Sequence, residues 1–143
     1  MTKEIWFDMD GTIADLYGVE NWLPMLRAES ASPYLEAKPL LNLSNLARLL
    51  NKLQCEGYKL GIVSWTSKGG SYEYNELVAK AKKEWLSIHL KSVRFDSIDI
   101  IEYGTPKECG RGGILFDDEE KNRLNWNEEA FDETKILEVL RRL

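Results

Sequence analysis

Glu4-Ile5-Trp6-Phe7-Asp8-Met9-Asp10-Gly11-Thr12 is the stretch on which the reading of the fold turns. Its first four residues are short, aromatic and β-branched, the composition of a buried strand, and the run stops at an aspartate. Two carboxylates two residues apart in extended chain point to the same side. Gly11 then lets the backbone turn at once. A strand that hands paired carboxylates to a glycine turn is where a catalytic loop is expected to begin.

Working outward, strand and helix patterns alternate. Leu43, Leu46, Leu49, Leu50 and Leu53 recur at helical spacing between Pro39 and Gln54, with Pro39 near the start and Gly57 placed to end the helix. Lys59 to Ser64 reads as a second strand. Glu73 to Ile88 reads as a second long helix with Leu77, Ala81, Trp85 and Ile88 on one side. Strands are expected at Ser97 to Tyr103 and Gly113 to Phe116, and a closing helix from about Asp132 to Leu143. Between Thr12 and the leucine helix, glycines and prolines punctuate a flap at about residues 15–38, whose best helical piece runs about Val19 to Ala28. The expectation is a single domain over 1–143: an α/β three-layer sandwich, Rossmann-like, with a mostly parallel central sheet covered on both faces. Ligands of such sheets bind at the carboxyl ends of the strands.

Three predicted strands end in chemistry-bearing residues: Asp8 and Asp10 after the first, Ser64 and Trp65 after the second, Asp117 and Asp118 after the fourth. In a parallel sheet all three sets meet on one edge. Several carboxylates in a small volume are unfavourable unless protons, basic groups or a cation compensate them. An all-oxygen donor set of this kind suits Mg²⁺, which takes few protein carboxylates alongside water and substrate phosphate.

These residues carry a resemblance. Phe7-Asp8-Met9-Asp10-Gly11-Thr12 resembles the first signature of the haloacid dehalogenase (HAD) superfamily. Ser64, closing Ile62-Val63-Ser64, resembles the second, Lys107 the third, and Ile114-Leu115-Phe116-Asp117-Asp118 the acidic fourth. The resemblance implies a HAD-like fold and a phosphatase. Asp8 would be the nucleophile that forms an aspartyl-phosphate, and Asp10 the general acid and base. Thr12, Ser64 and Lys107 would bind the phosphoryl group. The metal set would be Asp8, Asp10 through its main-chain carbonyl, Asp117 and Asp118, holding Mg²⁺. Asp10 favours phosphate over halide, because relatives that cleave carbon–halogen bonds lack the second aspartate. Lys68 and Arg111 are rivals to Lys107, which is preferred because it precedes the strand ending in Asp117-Asp118.

The intervals between signatures leave no room for a full cap domain, so an open site with a minimal flap is expected. Open members of the superfamily act on large substrates, or on small ones after a partner, including a second copy of the chain, closes the site. Tyr17 and Trp22 on the flap and Trp65 beside Ser64 are candidate substrate contacts, which brings a nucleotide or a nucleic-acid end among the phosphorylated substrates. Trp6 and Trp85 are expected in the core. His89 is expected at a helix end away from the site, and Lys80, Lys82 and Lys83 on a solvated helix face.

Composition narrows the classes further. In 143 residues, 19 basic against 24 acidic side chains give a net charge of -5, without the basic excess that non-specific nucleic-acid binding requires. One histidine, His89, removes His-rich zinc sites and leaves acid–base work to carboxylates. Cys55 and Cys109 form no CxxC pair, and no leader or membrane-length apolar run is evident, so a cytoplasmic protein with reduced thiols and no membrane partner is expected. The competing class is a non-catalytic HAD-fold binding protein, which has no physical need for crowded carboxylates.

Overall fold

The aromatic run at the start forms strand β1 (Glu4–Phe7) in the computed structural model, which describes residues 2–143. In chain order there follow β2 (Ala14–Asp15), α1 (Trp22–Arg27), α2 (Ser32–Glu36), β3 (Lys38–Pro39), α3 (Leu43–Cys55), β4 (Lys59–Trp65), α4 (Tyr72–His89), β5 (Ser97–Ile101), β6 (Ile114–Phe116), α5 (Glu120–Asn125), β7 (Glu129–Phe131) and α6 (Ile136–Arg142). Five strands make one sheet in the order β5-β4-β1-β6-β7, and every neighbouring pair in it is parallel. The architecture is α/β.

The order explains where the site must lie. From β1 the chain steps to β4 and then β5 in one direction, and later to β6 and β7 in the other. Loops leaving β1 and β6 therefore diverge, and the C-terminal ends of these two neighbours form the crevice in which such sheets bind ligands. Asp8 and Asp117 are the first residues past these ends. Asp8 donates its main-chain N–H to Phe116 at 2.9 Å, and Asp117 donates to Phe131 at 3.1 Å, so the ladder itself fixes both carboxylates.

Right-handed crossovers in opposite directions place their connections on opposite faces. Ile5, Phe7, Leu60, Ile62, Ile114 and Phe116 face α3, α4 and α6, whose Leu46, Leu50, Leu53, Trp85, Leu86, Ile136 and Leu140 complete one buried core. Trp6, Val63 and Leu115 alternate to the other side and cluster with Trp126. Full burial of each such leucine or isoleucine contributes about 1.5–3 kcal/mol. The second face is more thinly covered than expected. Its crossover, residues 102–113, contains no helix, and Arg111 lies over the Trp6 ring at 5.3 Å while bonding Asp99 at 2.8 Å. Arg111 thus joins this face and not the carboxylate edge.

Several expected elements are corrected. Helix α3 starts at Leu43 because Asn42 caps it, its Oδ1 accepting from Asn45 N at 2.9 Å. Pro39 lies instead in β3, which pairs antiparallel with β2 and closes the base of the flap. The flap helix is shorter than Val19–Ala28, since Asn21 takes a left-handed φ of 61° just before α1, and Pro33 opens a second, unanticipated helix, α2. Strand β7 and helix α5 are also additions.

The buried stripe of α4 differs from the expected one. Tyr74, Val78, Ala81, Lys82, Trp85 and Leu86 are buried, whereas Leu77 and Ile88 are more than half exposed. Lys82, expected on the solvated face, is 1% exposed. His89 sits at the helix end with its ring centroid 4.5 Å from that of Trp85. Cys55 and Cys109 are free and exposed. No helix among the described residues is long and apolar enough to cross a membrane.

Candidate active site

Gly11 shapes the loop after β1. Its φ of 79° is left-handed, and a Cβ there would strike the Asp118 carboxylate. The turn brings Asp8 against the β6 loop, and one carboxylate oxygen from each of Asp8, Asp117 and Asp118 falls within 4.8 Å of the others. Lys107 crosses between them: its Nζ lies 2.9 Å from Asp8 Oδ1 and 2.8 Å from Asp117 Oδ2, and the side chain is buried. Lys68, its rival, is exposed and lines the same cleft, its ammonium 5.8 Å from the Tyr103 ring centre and in no ion pair with the carboxylates.

The Asp117 carboxylate is tightly held. Oδ1 accepts from Glu119 N at 2.9 Å, and Oδ2 accepts from Asn122 Nδ2 at 3.2 Å as well as from Lys107. Thr12 is buried beside the carboxylates, away from the cleft lining. Its hydroxyl lies 3.0 Å from Asp8 Oδ2 and 3.3 Å from Asp118 Oδ1, and accepts from Asp118 N, so it tethers two carboxylates from behind. The Asp10 side chain likewise stands outside the three-carboxylate group, ion-paired with Lys82 at 2.8 Å.

Burial and mutual repulsion set the protonation of the group. For Asp8, burial acts to raise the carboxyl, but the Lys107 charge and hydrogen bond, with Lys82 beyond, outweigh it and hold it below the usual range. Burial pushes Asp10 upward, and its pairing with Lys82 does not fully cancel this. Burial and the Asp8 charge raise Asp117 to about 6 and Asp118 to about 8. The set is oxygen-only, so Asp8, Asp117 and Asp118 could together hold a hard divalent cation.

A stability prediction follows for the metal-free protein. Two carboxyls whose folded values exceed the unfolded one bind more protons folded than unfolded, so stability is highest while they are protonated. Between about pH 4 and 8 the melting temperature is expected to fall, with Asp117 and Asp118 both contributing up to about pH 6 and Asp118 alone from there to about 8. Saturating Mg²⁺ is expected to flatten that slope. Thermal scans with chelator and with Mg²⁺ check both; a flat metal-free profile would contradict the crowding.

Above the carboxylates lies a cleft of about 220 Å³. Asp8, Asp10, Ser64 and Lys107 line its base, and Tyr17, Trp22, Trp65 and Tyr103 its walls. Tyr17 and Trp22 meet edge to face with centroids 5.0 Å apart, and Trp65 and Tyr103 pair at 4.9 Å. Trp65 also donates from Nε1 to the Thr105 carbonyl at 2.8 Å, and its ring centre is 5.0 Å from Lys107 Nζ. All three aromatic residues singled out in the sequence therefore border the cleft. Reasoning from sequence missed Lys82, Asn122, Tyr34 and Tyr103. Lys82 had a signal, since 74, 78, 81, 82 and 85 follow one helical stripe; Asn122 had none.

Compared with known proteins, the sequence matches no family model and no curated protein.

Proposed function

We propose that the chain is a Mg²⁺-dependent phosphomonoester hydrolase of the HAD type, with a minimal flap in place of a cap domain. The observation that carries this is Lys107 bridging Asp8 and Asp117 at the diverging ends of β1 and β6, with Asp118 beside them and Asp10 and Ser64 on the same cleft. No structural role calls for three crowded carboxylates at a sheet edge.

Bound Mg²⁺ would supply charge neutralisation for the transferring phosphoryl group and for Asp8. Asp8, held ionised by Lys107, attacks phosphorus; the phosphorus–oxygen bond to the leaving group breaks as Asp10 gives that oxygen its proton. A carboxyl raised by burial suits an acid at this step. Water then attacks the aspartyl-phosphate, Asp10 takes its proton, and the bond to Asp8 breaks to release phosphate. Ser64 hydroxyl donates to a phosphoryl oxygen, and Lys107 balances the charge that develops between phosphate and Asp8.

The aromatic walls favour a planar leaving group, so a nucleotide is the preferred substrate class. The acidic balance of the chain tilts this toward a small nucleotide over a polynucleotide end. The test is hydrolysis of an aryl phosphate and a nucleoside monophosphate, each with Mg²⁺ and with chelator. Turnover is expected only with the metal. Stacking on a protein aromatic is worth about 1–3 kcal/mol per base, so Trp22→Ala is expected to raise KM for the nucleotide about tenfold and to leave a small aliphatic phosphate nearly unchanged. An equal effect on both substrates would remove the planar-group reading. Metal-independent turnover would remove the mechanism.

A further inference from the structure

Lys82 is the one buried charge at this edge for which the reaction above has no use. Its ammonium carries three protons, and three acceptors surround it: Asp10 Oδ2 at 2.8 Å, Ser64 Oγ at 2.8 Å and the Trp65 carbonyl at 2.6 Å. The Tyr34 ring, 5.1 Å away, covers a further side. No donor is left over for a substrate. Lys82 therefore cannot act as Lys107 does.

Its placement is also hard to explain as stability. A buried ion pair often contributes no more than an apolar side chain of the same volume. A methionine between Ala81 and Trp85 would fill the same stripe without the cost of desolvating a charge. What a methionine would not supply is a donor to Ser64. Because Ser64 Oγ accepts from Lys82, the hydroxyl proton of Ser64 is freed to point elsewhere, and Ser64 borders the cleft. The same ammonium pins the Trp65 carbonyl and draws Asp10 to that wall, so one side chain on α4 ties the end of β4 to the loop after β1.

We infer that Lys82 is a positioning residue that sets Ser64 as an outward-facing hydrogen-bond donor, and holds Asp10 beside it, for a tetrahedral oxyanion entering the cleft. The inference rests on the phosphatase reading and adds to it a fixed donor whose direction is imposed from behind. It differs from a general packing role in one respect: the contribution of Lys82 to anion binding passes through Ser64.

The test is calorimetric titration of inorganic phosphate, in the presence of Mg²⁺, into the native chain, S64A, K82M and the double variant. One hydrogen bond to a charged group corresponds to about tenfold or more in affinity. S64A and K82M are each expected to weaken phosphate about tenfold, and the double variant also about tenfold, since the second change removes a donor already misdirected. A double variant weakened about a hundredfold, or K82M binding at native affinity, would overturn the positioning role while leaving the phosphatase reading in place. Absence of phosphate binding and of metal-dependent turnover in the native chain would overturn both. If K82M does not fold, K82R, which retains the charge and the donors, is expected to bind phosphate within a few-fold of native and K82A to lose about tenfold with no further loss in the S64A background; a further tenfold loss there would overturn the positioning role.

Discussion

Replacing Asp8 by asparagine is expected to reduce Mg²⁺-dependent phosphate hydrolysis by at least about 10⁴-fold, the scale on which loss of a nucleophile appears in other covalent catalysts. The amide keeps the size of the carboxyl and can still meet Thr12, which lies 3.0 Å from Asp8 Oδ2. Lys107 retains Asp117 at 2.8 Å, so the fold has no reason to fail with the activity. The metal group loses one of three carboxylates, and Mg²⁺ binding is expected to weaken without vanishing. Initial rates, thermal melting and a metal titration on native and variant protein check the three expectations together. Appreciable turnover in a folded Asp8→Asn variant would mean that another group attacks phosphorus.

The second large effect concerns Lys107. Removing one member of a buried charged group and leaving the rest unpaired costs about 3–5 kcal/mol. Lys107→Met leaves Asp8 and Asp117 facing each other, each buried, with only Asn122, Thr12 and main-chain donors to compensate. In chelator at pH 8 the variant is expected to melt lower than the native chain by about 10 °C, at a few degrees per kcal/mol for a chain of this size. Saturating Mg²⁺ is expected to recover part of that loss, because a cation supplies the missing positive charge between the same carboxylates. Lys68→Met, at an exposed side chain, is expected to move the melting temperature by little, as surface substitutions do. Equal melting of native and Lys107→Met protein at pH 8 would show that Lys107 is not the counter-charge of the group.

The parts of this account that were legible in the sequence are those carried by short-range pattern. β1 and its aspartates, the leucine stripe of α3, and the strands ending at Ser64 and Asp117 all announce themselves within a few residues, and each was placed to within a few positions. Gly11 was legible because a turn straight after two carboxylates demands a permissive backbone. Other parts were not. β7 is three residues of mixed polarity whose identity as a strand comes from pairing with β6, a long-range fact. The flap ribbon is two residues on each side and has no periodicity to read.

Lys82 failed for a different reason. As one of the run Lys80, Lys82 and Lys83 it reads as part of a solvated helix face, whereas the buried stripe of the folded helix runs through Val78, Ala81, Lys82 and Trp85. The partner of Lys82 is Asp10, which lies far away in sequence, and only the packing of α4 across the end of β4 brings the two together. Thr12, expected to bind the phosphoryl group, is buried with its hydroxyl 3.0 Å from Asp8 Oδ2 and 3.3 Å from Asp118 Oδ1, contacts that only the folded loop defines.

The central claim is that Asp8 accepts a phosphoryl group with Mg²⁺ beside it, and beryllium fluoride, which mimics that adduct on an aspartate, tests it most directly. Fluorine NMR of the native chain is expected to show a protein-bound fluoride signal that requires Mg²⁺, disappears with chelator and is absent from Asp8→Asn. No bound signal in the native protein with Mg²⁺, or an undiminished one in Asp8→Asn, would contradict the account.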